Sequence, residues 1–141
     1  MTAKQYLSQA FNLDNRINSK LEQASVLHAM ATKATSTLSD VPPSGSRNVQ
    51  RIEDIIYKIV ELENTINADI DQLVDLKVDI TATVQRMDNL VYRTILEQRY
   101  LCYKTWEQIA TNMGYDVSWL HRLHGKALRE AEKLLISERS H

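Results

Sequence analysis

From Asn48 to about Met87, apolar residues return every seven positions at Ile52, Ile59, Ile66, Leu73, Ile80 and Met87, with Ile55, Ile56, Leu62, Ile70, Leu76 and Val84 between them. That interval lays one stripe along an α-helix and predicts a long, coiled-coil-like element. Such a helix would run to about 60 Å, too long to be enclosed by so short a chain. Residues 2 to about 38 carry a thinner stripe of Leu7, Ala10, Ile17, Leu21, Ala24, Ala31 and Leu38. Thr2 and Gln5 have the spacing of a capping box at its start. After Thr32 the sequence turns rich in Ser and Thr, so fraying is expected before Leu38. Between the two stripes, Ser39 to Arg47 holds Pro42, Pro43 and Gly45 and predicts a hairpin or hinge.

Two amphipathic helices joined in this way bury their stripes against each other as an antiparallel hairpin, or against a second copy of the chain. The first stripe is too thin to cover the broad apolar face of the second. The pattern therefore favours a homodimer, with Ile52, Ile59, Ile66, Leu73 and Ile80 as the oligomerisation residues. Asp88 and Asn89 read as a new N-cap, followed by three short helices at about 89 to 102, 105 to 113 and 116 to 135. The expected fold is all-α, with a long-helix region over 1–87, broken at 39–47, and a separate small domain over 88–141.

Composition agrees with that class. Among 141 residues only 3 are Gly, 2 are Pro and 6% are aromatic, which argues against turn-rich barrels and sandwiches. The length excludes any large enzyme architecture. A net charge of −1 supplies no global attraction to nucleic acid, so any such binding must come from local clustering. Cys102 is the single cysteine and fits a reducing compartment. With no apolar leader and no long apolar run, a cytoplasmic location and no membrane partner are expected.

Neither a Gly-rich phosphate loop nor an H-E-x-x-H or G-x-S-x-G motif occurs, so no catalytic residues and no cofactor are expected. His121 and His124 stand three apart, a spacing that can ligate a metal, but no further ligand is evident and none is expected to bind. Asp71, Asp75 and Asp79, beside Asp69, read as a solvated acidic face.

Thr105 to Leu123 reads as a helix-turn-helix. Thr105 and Gln108 form a second capping box; Ala110 is small where two helices cross; Gly114 supplies a left-handed turn; Asp116 caps the second helix. Ile109, Met113, Tyr115, Leu120 and Leu123 are expected in the shared core, with Trp119 and Tyr100 packed rather than exposed. From Val117 to Arg129 there are three basic residues and two histidines but no acid. Such a helix can enter the major groove of double-stranded DNA. Helical offset directs Val117, Ser118, His121 and Arg122 to base edges, and Lys126 and Arg129 to the backbone. Arg122 is the candidate for bidentate guanine contact.

The run from Leu96-Glu97-Gln98-Arg99-Tyr100 through Trp106-Glu107-Gln108-Ile109-Ala110 to Leu120, Leu123 and Ala127-Leu128 resembles region 4 of bacterial sigma factors. The layout, a long helical segment followed by such a domain, is similar to small phage-encoded late-transcription regulators of the ArpU-like type. The resemblance implies promoter or operator binding, an influence on host RNA polymerase, and a phosphate-contacting helix start at Thr105. Two rival readings stand beside it. One is a DNA-packaging recognition protein of the terminase small-subunit kind. The other is a protein-only adaptor for host polymerase or a sigma factor.

Overall fold

A computed structural model describes residues 1–38 and 46–139; the expected hinge at Pro42 and Pro43 lies outside them. The described residues are all-helical, as the periodicity predicts: α1 (Ala3–Leu38), α2 (Ser46–Gln85), α3 (Leu90–Leu96), α4 (Trp106–Met113) and α5 (Val117–Arg139). Among them, no helix is long and apolar enough to cross a membrane.

Helix starts follow local hydrogen-bond chemistry. At α1, the Gln5 backbone N–H donates to Thr2 Oγ1 at 3.2 Å, and the Thr2 N–H donates to Gln5 Oε1 at 2.8 Å. Two backbone donors that the first helical turn would leave unpaired are thereby satisfied. At α3 the cap is Asn89, whose Oδ1 accepts from Val91 N at 2.9 Å and Tyr92 N at 3.1 Å. Helix α3 does not stop at Leu96 but widens into a π-helical turn over Glu97–Leu101, closed by Cys102 N–H to Glu97 O at 3.0 Å.

The chain divides into two compact units, and the division cuts across both long helices. The sequence pattern puts a boundary after residue 87. The packing instead joins residues 1–13 and 73–87 to the C-terminal helices. In this unit one core cluster gathers Leu7 and Ala10 of α1, Ile80 and Val84 of α2, Leu96, Tyr100, and Ala127 and Ala131 of α5. Ala3, Ala10, Ala127 and Ala131 are core residues themselves, so a stripe thin in large side chains still contributes to the buried cluster. Tyr6 adds a polar tie to the end of α2. Its hydroxyl donates to Asp79 and lies 3.3 Å from Thr83 Oγ1, and burial followed by the Asp79 carboxylate raises its pKa to about 12.

The second unit, residues 14–72, is an antiparallel pair formed by the rest of α1 and α2. Ile17 and Ala24 are buried on one helix, and Ile59 and Ile66 on the other. Lys20 forms an ion pair with Asp69, whose side chain is only 12% exposed. His28 and Glu63 make an exposed pair at 3.3 Å. The acidic row on α2 is therefore not uniformly solvated, since Asp69 is bound to Lys20 here and Asp79 to Tyr6 in the other unit.

Candidate nucleic-acid interface

The turn between α4 and α5 is built from the residues that predict it. Thr105 Oγ1 accepts from Gln108 N at 3.2 Å, while Thr105 N donates to Gln108 Oε1 at 2.9 Å, completing the capping box. At the other end of α4, Gly114 has φ +71°. Its N–H reaches Thr111 O at 3.4 Å, and Tyr115 N–H reaches Ala110 O at 2.9 Å. That pair of bonds is a Schellman stop, which needs a left-handed residue and so favours glycine.

A Cβ built on Gly114 meets nothing within 4 Å, so substitution there is opposed by backbone conformation alone. Gly114→Ala is expected to lower stability by about 1–2 kcal/mol, and Gly114→Asn by less, because Asn tolerates the left-handed region. Denaturant unfolding of both variants checks this. Equal losses would mean that the left-handed backbone is not what opposes the side chain.

Below the turn, Ile95, Ile109, Ala110, Leu120 and Leu123 form a second buried cluster, with Met113 and Tyr115 against it. This core fixes which side of α5 faces out. Ser118, His121, Arg122, Lys126 and Arg129 are all exposed. None of the three cations makes a salt bridge among the described residues. Their charge faces solvent over a stretch that has no acid from Val117 to Arg129.

Other expected site residues are placed differently. Val117 is half-buried and packs against the second cluster, three residues before the inward Leu120. Trp119, expected to pack, is 42% exposed. It lies one residue before the inward Leu120, and its ring sits 5.6 Å below Lys126 Nζ. Thr105 is exposed at the start of α4, but exposed Glu107 stands in the same first turn and opposes a phosphate there. His124 faces inward at 8% exposure, with Nε2 2.7 Å from the Tyr100 hydroxyl. Among the described residues no group of three potential metal ligands forms.

The residues named for oligomerisation fall on the inner side of the long helices. Ile59, Ile66 and Ile80 are buried within the single chain, and Ile52 and Leu73 are half-buried. Their stripe is covered by the chain itself, so an oligomer resting on those same side chains would have to open the hairpin.

Sequence reasoning passed over a set of aromatic contacts that brace α5. Trp106, the first residue of α4, holds His121 at 4.8 Å and His124 at 4.5 Å between ring centroids. The Arg99 guanidinium lies 4.4 Å from the centre of the same Trp ring, and its Nη1 donates to Lys104 O at 3.0 Å. The Arg99-Tyr100 pair thus secures the loop before α4 with one member and the buried His124 with the other. The sequence carries no signal for the π-helical turn on which both residues stand. No family model matches the chain, and no curated protein or solved structure matches it either.

Proposed function

We propose that this protein is a sequence-specific DNA-binding transcriptional regulator that reads the major groove with the outer face of α5. The observation that carries the reading is the exposed, acid-free row of Ser118, His121, Arg122, Lys126 and Arg129 on the second helix of a helix-turn-helix. Ser118, His121 and Arg122 lie toward the N-terminal end, where such helices meet base edges. Lys126 and Arg129, one and two turns further along, suit phosphates. Val117 supports the helix start from within instead of reading a base. The contact with Trp106 limits the orientations open to the His121 ring, and a side chain held in place loses less entropy on binding. The resemblance to sigma region 4 and to phage late-transcription regulators makes phage or prophage late promoters the proposed targets, with host RNA polymerase as a protein partner.

The test is selection from a randomised duplex library at near-physiological salt, followed by affinity measurements on the enriched site. Arg122→Ala is expected to cost about 1–3 kcal/mol and to relax preference at one base pair. Lys126→Ala is expected to weaken all sequences alike and to reduce the salt slope by about one. No enrichment, together with no duplex binding at low salt, would refute DNA reading and leave the protein-only adaptor. A ring of many subunits on the selected site would favour the packaging role.

A further inference from the structure

The compact unit that contains α5 also holds a cavity of about 290 Å³, lined in part by Lys4, Asn12 and Arg99. Its walls are aromatic: Phe11, Tyr100, Tyr103 and Trp106. The volume suits a small ligand. No acidic residue lines the cavity among the described residues. Among the described residues, Lys4 and Arg99 make no salt bridge. Glu132, which bonds to the residue before Lys4, accepts from Ala3 N at 2.6 Å. Of the five N–H donors of a guanidinium, Arg99 gives one to Lys104 O, which leaves capacity for a ligand.

Two local features of the backbone converge on this place. Arg99 and Tyr100 stand on the π-helical turn, a departure from α-geometry that recurs at functional sites. Tyr103 has a positive φ of 58° without being glycine, and such strain is held only where the surroundings over-determine it. Here the Tyr103 ring is fixed edge-on to Phe11 at 5.6 Å and beneath Lys77 Nζ at 4.6 Å. The electrostatics agree with the geometry. Burial lowers the pKa of neighbouring His124, and the charges of Lys4, His121 and Arg99 lower it further, so Lys4 and Arg99 are near enough to one another to act on one group.

We infer that this cavity binds a small phosphate monoester carried on a planar body, the chemical class of a nucleoside monophosphate. A monoester carries about −1.5 to −2 at neutral pH, which matches two cations without an acidic partner. A DNA diester with a single charge matches them less well. The ring edges of the walls suit the planar part, and Asn12 can donate to either part. The site does not depend on DNA reading, and its occupancy is measurable in the free protein.

The full chain, labelled with nitrogen-15, is titrated with adenosine 5′-monophosphate, with adenosine and with a DNA duplex. Trp119→Phe identifies the Trp106 indole signal. Expected is a saturable shift of the Trp106 and Asn12 side-chain signals with the monophosphate, with a Kd below about 1 mM. Adenosine should bind about tenfold more weakly, and exposed Lys4→Gln should lose about tenfold with the remaining spectrum unchanged, the scale of one charge-assisted contact. Arg99→Gln should lose at least as much. The inference is overturned by no saturable shift, by equal affinity for adenosine, by full affinity in Lys4→Gln, or by shifts that only the duplex produces.

Discussion

Leu120→Ala is expected to lower the stability of the unit containing the helix-turn-helix by about 4 kcal/mol, near the upper part of the range for buried leucines. Leu120 is fully buried, and the neighbours that could move into the gap, Ile95 and Ile109, are fully buried as well. A site enclosed by such neighbours relaxes little, so the lost transfer energy is joined by the energy of a remaining cavity. The residue also joins α5 to α4 and α3, whose side chains form this cluster. Since domains have total stabilities of about 5–15 kcal/mol, a loss of this size should leave a substantial unfolded fraction in mild denaturant. Leu90→Ala supplies the comparison: Leu90 is 67% exposed in the first turn of α3, and its loss should be nearly neutral. Urea unfolding of both variants measures the difference. Near-equal midpoints would show that the α4–α5 junction does not depend on this cluster.

Much of this architecture was legible because its determinants are local. A seven-residue apolar interval specifies a helix whatever surrounds it, and α2 follows that interval from Ser46 to Gln85. Caps are equally local, so Thr105 with Gln108, Asn89, and Gly114 all end or begin helices where their side chains predict. Partnership is a different matter. Ile59, Ile66 and Ile80 look underserved beside a stripe of alanines when stripe width is the measure. In the fold, Ala3, Ala10 and Ala24 are themselves buried, and those isoleucines are buried too. Stripe width counts large side chains and leaves out the small ones that the core also buries.

The site shows the same division. Arg122, Lys126 and Arg129 are exposed as their helical offset predicts, because Leu120 and Leu123 fix the opposite side of α5. Val117, expected outward, stands three residues before Leu120 and seven before His124, and this spacing places it on the inward side of α5. The same spacing separates the two histidines: His124, four residues after Leu120 and three before Ala127, is buried beside Tyr100 and Trp106, while His121 lies off that side and is exposed. The π-helical turn shifts the register between Leu96 and Cys102, and no apolar interval announces such a shift.

The burial of His124 leads to the second large expected effect, an acid-sensitive fold. Its pKa is lowered from 6.5 to about 4, chiefly by burial, then by the positive charges of Lys4, His121 and Arg99. Above pH 6.5 the imidazole is neutral in both folded and unfolded chains, so it contributes no pH dependence. Below that point the unfolded chain takes up a proton that the folded chain refuses, and stability falls with falling pH. The decline continues until the folded imidazole also protonates near pH 4, and the full drop amounts to about 3 kcal/mol. Tyr100 does not titrate in this window, since burial raises its pKa to about 12. It keeps its hydroxyl proton beside His124 Nε2 throughout. Other groups titrate as acid is added, so the measured quantity is the difference between wild type and His124→Gln, which retains a polar partner for Tyr100 but cannot protonate. Unfolding free energies of the two proteins should run parallel above pH 6.5 and converge or cross between there and pH 4, with wild type losing more. Parallel curves through the whole window would mean that the imidazole accepts its proton in the folded state at an ordinary pH, and that the Tyr100–His124–Trp106 cluster opens to water more readily than its packing indicates.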